Sequence, residues 1–92
     1  MKLEKELKVV NSMGLHARPA AYIARLLQNK SSDVYFEYRN ERVNARSIMG
    51  ILILTAQKNA RVTVIVDGED AQETMDALEK AFECQFEEKS KE

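Results

Sequence analysis

The sequence contains one cysteine, Cys84, and one histidine, His16, in 92 residues, and each shortage closes off a class of chemistry. A lone thiol forms no internal disulfide and supplies no structural zinc cluster, so Cys84 is expected to be a small, half-buried helical side chain. His16 alone would need metal-binding companions that its neighbours do not offer, and neither metal nor cofactor is expected. An excess of one charge is also missing. Fourteen basic residues against fifteen acidic ones give a formal charge of -1, which argues against a nucleic-acid binder that works by neutralising many phosphates. No apolar run approaches a membrane span, and the start, Met1-Lys2-Leu3-Glu4, is polar and mixed in charge rather than a signal stretch. Cytoplasm is therefore the expected compartment, without membrane insertion. Repeats, low-complexity stretches and Pro/Gly/Ser linkers are absent too. At 45% hydrophobic residues, a chain this short is expected to fold as one domain around one core.

Hydrophobic periodicity sets out the elements. Leu3 to Val10 places Leu7 and Val9 on one face of a strand, and Asn11, Ser12 and Gly14 break it. Ala20, Ile23, Ala24 and Leu27 recur at spacings of three and four and predict an amphipathic helix over 17–28, which stops in Asn29-Lys30-Ser31-Ser32. Val34, Phe36 and Tyr38 alternate with Tyr35 and Glu37 as a strand, and Asn40 suits a tight turn into a short return strand at 42–44. Val62, Val64 and Val66 alternate with Thr63 and Ile65 before the turn pair Asp67-Gly68. Asp70 followed by Glu73 reads as a capping box, opening a helix whose apolar face holds Ala71, Met75, Leu78 and Phe82.

The order strand, helix, strand, strand, helix, strand, helix suits an α+β domain, a four-stranded, mostly antiparallel sheet with helices on one face. Periodicity leaves the strand order open, since a ferredoxin-like split fold has nearly the same element sequence. The middle element is the odd one: Ile48, Met49, Ile51, Leu52, Ile53 and Leu54 leave a helix there no polar face, and the apolar run also fits a buried strand. Either it is a fully covered core segment or it exposes a docking surface.

Gly14-Leu15-His16-Ala17-Arg18-Pro19-Ala20 lies where the first strand hands over to the first helix. Gly14 permits a sharp or left-handed turn, and Pro19 is tolerated in a first helical turn because its missing amide would have no intrahelical acceptor. His16 then falls at or beside the N-cap, where unpaired amides and the helix dipole favour negative charge. The dipole and the Arg18 guanidinium disfavour a positive charge on the ring, which suits a nitrogen that attacks phosphorus. The same amides and Arg18 would hold the resulting phosphoryl group through charge-assisted hydrogen bonds. No carboxylate or second histidine stands beside it in sequence to activate water, and no acidic cluster resembles a magnesium site, so the segment suits storing a phosphoryl group rather than hydrolysing it. A capping or surface histidine is the plainer alternative.

At these residues the chain resembles the HPr family of the bacterial phosphoenolpyruvate-dependent sugar phosphotransferase system. Gly14 to Ala20 is similar to the family's phosphorylation motif, and Val43-Asn44-Ala45-Arg46-Ser47-Ile48-Met49-Gly50 to its regulatory serine motif, at the family's mutual spacing. The resemblance covers essentially the whole chain, a single HPr domain over 1–92 with a frayed, charged end at 87–92. It implies an open-faced β-sandwich with strand order one, four, two, three. It further implies that His16 accepts a phosphoryl group on its delta nitrogen from phosphorylated Enzyme I and passes it to EIIA domains of sugar permeases, with Arg18 steadying the group. The protein would be a stoichiometric carrier rather than an enzyme, and a monomer. Ala17, Ile48, Met49 and Leu52 would form the docking surface, with Met49 an adaptable contact for more than one partner. Ser47 is expected to cap the middle helix and to be the target of HPr kinase/phosphorylase. The alternative within the resemblance is a regulatory HPr-like protein that signals nitrogen or carbon state without sugar transport. Three positions depart from the family's pattern: Arg46 stands where lysine is frequent, Thr55 where glycine or alanine is usual, and Asn59 in place of a turn glycine. Asparagine tolerates left-handed geometry, so the fold is expected to survive Asn59.

Overall fold

The computed structural model describes residues 1–86; the charged end expected to fray, 87–92, lies outside the described residues. The elements follow in the order β1 (Lys2–Lys8), α1 (Ala17–Leu27), β2 (Asp33–Tyr38), β3 (Glu41–Asn44), α2 (Ile48–Leu54), β4 (Arg61–Asp67) and α3 (Ala71–Glu83). All pairings are antiparallel and the sheet runs β1-β4-β2-β3, so the last strand inserts between the first two. This is the open-faced order, and the ferredoxin-like alternative falls away.

Alternation decides which face is covered. Val62, Val64 and Val66 from β4 and Val34 and Phe36 from β2 are buried beneath the helices, where they meet Ile23 and Leu27 of α1 and Met75, Leu78 and Phe82 of α3. The other face carries rows such as Glu6, Thr63, Glu37 and Arg42, which the register places side by side. Ile65 belongs to this outer face yet is buried, flanked on neighbouring strands by Glu4 and Tyr35. Phe82 stacks edge-to-face on Phe36 and on Phe86, at 6.0 and 4.9 Å between ring centroids. Those contacts anchor the end of α3, which closes in a Schellman turn: Phe86 N–H donates to the Ala81 carbonyl (2.8 Å) and Gln85 takes the left-handed position at φ 61°.

The β2–β3 turn is tight, as expected at Asn40. Arg39 and Asn40 both have positive φ, 52° and 65°, in a two-residue turn whose twist matches that of the strands. Cys84 is half-buried at the end of α3, as expected.

The capping box is corrected by the structure. Asp70 occupies the N-cap position of α3 but makes no side-chain cap there. Its carboxylate instead accepts hydrogen bonds from the Ser31 amide (2.9 Å), the Ser32 amide (3.0 Å), the Ser32 hydroxyl and the Thr74 hydroxyl (3.2 Å). Two oxygens satisfy a loop nearly forty residues away, which no local motif can announce. The Ser32 hydroxyl first, and the two serine amides with it, hold the Asp70 carboxyl well below the usual carboxylate range. Glu73 pairs loosely with Lys30, at 3.6 Å, instead of closing the box.

The same loop is tied from its other side. The Arg46 guanidinium donates to the carbonyls of Leu27 (2.6 Å), Lys30 (2.7 Å) and Ser32 (2.8 Å), fanning across the C-terminal end of α1. Here a positive charge also meets the negative end of the helix dipole.

Candidate functional site

The site begins with a turn that only glycine fits. Gly14 N–H donates to the Asn11 carbonyl (3.2 Å), and the Asn11 amide side chain donates to the Gly14 carbonyl (2.6 Å). Gly14 has φ +69°, and a Cβ there would lie 2.4 Å from the Ala56 carbonyl oxygen and 2.7 Å from the Gln57 Cα. Leu15, buried, donates its amide to that same Ala56 carbonyl at 2.9 Å. The loop is thereby latched to the segment leaving α2.

His16 follows as the N-cap of α1, extended at φ −83° and ψ −167°. Its carbonyl accepts from Ala20 N–H (3.1 Å), whereas its half-buried ring takes no part in capping. Pro19 has no amide to offer, so the first turn leaves the amides of Ala17 and Arg18 without an intrahelical acceptor beside the imidazole. Ala17 and Arg18 are both exposed, and Arg18 makes no ion pair among the described residues. Ring and guanidinium share one open groove, which Ser12, Met13, Arg25 and Phe86 help to line. Among the described residues no group of three His, Cys, Asp or Glu side chains is placed to hold a metal ion.

Ser47 caps α2 as expected, its Oγ accepting from Gly50 N–H at 2.9 Å. Only Ile51 and Leu54 of α2 are buried. Ile48 (42% exposed), Met49 (67%) and Ile53 (57%) face outward, and Leu52 is half-buried against the core. That resolves the choice posed by the all-apolar helix in favour of an exposed face. Of the four docking candidates, Ala17, Ile48 and Met49 are exposed and Leu52 is a shoulder of the core. Ile53 and Met13 (72% exposed) escaped the sequence reading. The i, i+4 spacing from Met49 was a usable signal for Ile53, while nothing local marked Met13. Thr55 ends α2 in the left-handed region at φ 49°, and Asn59 takes φ 76° while its amide bonds the Val9 carbonyl at 2.7 Å. Asparagine thus does hold the left-handed turn.

Fold and site together define a class: a small open-faced α+β sandwich that presents an imidazole at an open helix N-terminus, with an apolar helix latched beside it. The family model described as "PTS HPr component phosphorylation site" matches residues 3–84. The phosphocarrier protein HPr of Xylella fastidiosa (strain Temecula1) is 40% identical over 86 residues, covering 94% of this chain and 97% of that one. The crystal structure of HPr-C-His from Thermoanaerobacter tengcongensis superposes with a TM-score of 0.88 at 36% identity, covering 96% and 99% of the two chains. An HPr dimer from the same organism superposes at 0.74 with 38% identity, over 89% and 94%. The chain belongs to the HPr family of phosphotransferase-system phosphocarriers, proteins that carry a phosphoryl group rather than catalyse a reaction of their own. No helix among the described residues is long and apolar enough to cross a membrane.

Proposed function

We propose that this protein is the phosphocarrier of a phosphoenolpyruvate-dependent sugar phosphotransferase system, and that His16 is the residue that carries the group. The observation that supports this most is the N-terminus of α1: an imidazole left out of capping, two open amides and an Arg18 with no ion pair among the described residues. Nδ1 of His16 attacks the phosphorus of phosphorylated Enzyme I, one N–P bond forming as the donor's breaks, and the mirror-image step delivers the group to EIIA. Exchange between two imidazoles is near-symmetric, so positioning and charge compensation carry most of the rate. Arg18 and the amides of Ala17 and Arg18 hold the dianionic group. The protein acts stoichiometrically, as a carrier regenerated at each cycle.

Ala17, Ile48, Met49 and Leu52 form the face that meets Enzyme I and EIIA in turn. Latching of the Gly14-Leu15 turn to Ala56 keeps that face and the imidazole in a fixed relation, which suits a small interface that must form and release quickly. Ser47 is the regulatory position for HPr kinase/phosphorylase: a phosphate there adds about -1.5 to -2 charges at the edge of the docking face. Working in the cytoplasm as a single domain and a monomer completes the reading.

The test is a relay. Enzyme I and labelled phosphoenolpyruvate should place acid-labile label on the protein, EIIA should remove it, and His16→Ala should take up none. Label retained by His16→Ala, or none at all with a competent Enzyme I, overturns the assignment. Kinase and ATP should add acid-stable phosphate that Ser47→Ala lacks, and sedimentation at working concentration separates a monomer from a dimer.

A further inference from the structure

The methionines divide sharply. Met75 is buried at 2% exposure in the core of α3, whereas Met1, Met13 and Met49 are 69, 72 and 67% exposed. Of these three, one lies in the histidine groove and one on the exposed face of α2. Met13 lines the groove that holds His16 and Arg18, and Met49 is the second residue of α2, just past the Ser47 cap. Met1 stands at the far end of β1, where its carbonyl accepts from Gly68 N–H.

A thioether in water is open to two-electron oxidation, and the product is polar where the parent was apolar. We infer that Met13 and Met49 are oxidation sites through which a peroxide reversibly lowers phosphoryl exchange at His16. A sulfur lone pair attacks one oxygen of hydrogen peroxide. The S–O bond forms as the O–O bond breaks, methionine is oxidised to the sulfoxide, and the peroxide leaves as water. Methionine sulfoxide reductase reverses the step with two electrons from a thiol, releasing the oxygen as water. Each sulfoxide places a strong acceptor where the docking face has to shed water against an apolar partner surface, and Met13 brings the second one to the rim of the histidine groove. The effect falls on association with the partner and leaves the ring intact. This inference rests on the carrier reading, so its test begins by showing that the untreated protein accepts phosphate.

The intact protein is treated with hydrogen peroxide, cleared with catalase, mapped by peptide mass, and only then given Enzyme I and phosphoenolpyruvate. Met13 and Met49 should gain one oxygen each at rates close to that of Met1, and Met75 should react at least about tenfold more slowly. Phosphorylation at limiting protein should slow by about fivefold or more, and methionine sulfoxide reductase should restore it. In Met13→Leu/Met49→Leu, compared with itself before treatment, the ratio of treated to untreated rate should be near one even though Met1 still oxidises. An unchanged rate after full oxidation of both residues overturns the inference. So does a slowdown that persists in the double variant, or one that follows loss of the folded circular-dichroism signal. Untreated protein that takes no phosphate defeats the carrier reading itself, a different result from a carrier that is insensitive to peroxide.

Discussion

Replacing Gly14 with alanine tests the turn that presents the histidine. An L-residue at φ +69° costs ~1–2 kcal/mol. The new Cβ would sit 2.4 Å from the Ala56 carbonyl oxygen and 2.7 Å from the Gln57 Cα, backbone atoms that cannot swing aside as a side-chain tip would. Overpacking of that kind costs ~1–3 kcal/mol, and the stiffer unfolded chain of alanine returns ~0.4–1 kcal/mol. The net loss is centred near ~3 kcal/mol, a large part of a small domain's stability. Equilibrium unfolding in urea reads it directly, and amide exchange at Leu15 should quicken because its bond to Ala56 lies in the disturbed contact. Gly50→Ala is the control. That glycine lies in α2, its added Cβ would meet the Asn44 oxygen at 3.2 Å and Ser47 at 3.3 Å, and the gain in helix propensity of ~0.5–1 kcal/mol offsets the slight crowding. A Gly14→Ala protein within ~1 kcal/mol of wild type, or no less stable than Gly50→Ala, would refute the reasoning.

Arg46→Lys keeps the charge but loses the fork across the Leu27, Lys30 and Ser32 carbonyls; stability should fall by ~1 kcal/mol, with faster amide exchange confined to the loop 28–32. Asp70, whose carboxyl is held below its ordinary value of 3.8, contributes fully above that value. Its contribution drains as pH falls toward the lower folded-state value, so unfolding midpoints should drop below about pH 4, and less steeply in Asp70→Asn. Ser47→Ala removes the α2 cap and should cost ~1 kcal/mol in thermal or urea unfolding. Thr55→Gly relieves a β-branched residue at φ 49° and should stabilise by ~0.5–1 kcal/mol once the looser unfolded chain is counted; a loss would show that the Thr55 hydroxyl bond to Leu54 outweighs the strain.

Elements whose signals are local were legible in the sequence. The period of α1, the alternation of β2 and β4 and the Ser47 cap depend on residues within a few positions of each other, and all stand where the pattern put them; the left-handed turn at Asn59 was expected only from the family resemblance. The strand order came from the family resemblance, because pairing of β4 between β1 and β2 joins segments whose alternation alone names no partner. Asp70 failed as a cap because its carboxylate is claimed by Ser31 and Ser32, across the chain. Arg46, noted in the sequence only as standing where lysine is frequent, is committed to carbonyls at the end of α1. At the candidate site, the spacing from Gly14 to Pro19 set out the helix N-terminus. Exposure of Met13 and Ile53 depended on which side of α2 and of the loop the core took up, a tertiary property with no local signature.

Phosphorus–nitrogen coupling at the single imidazole is the most direct measurement of the central proposal. With the histidine ring labelled with nitrogen-15 and the protein incubated with Enzyme I and phosphoenolpyruvate, the coupling should appear at Nδ1 of His16 and vanish on brief acid treatment. An unmodified ring, in the presence of an Enzyme I that phosphorylates another HPr, would contradict the assignment, and so would phosphate bound at any other residue.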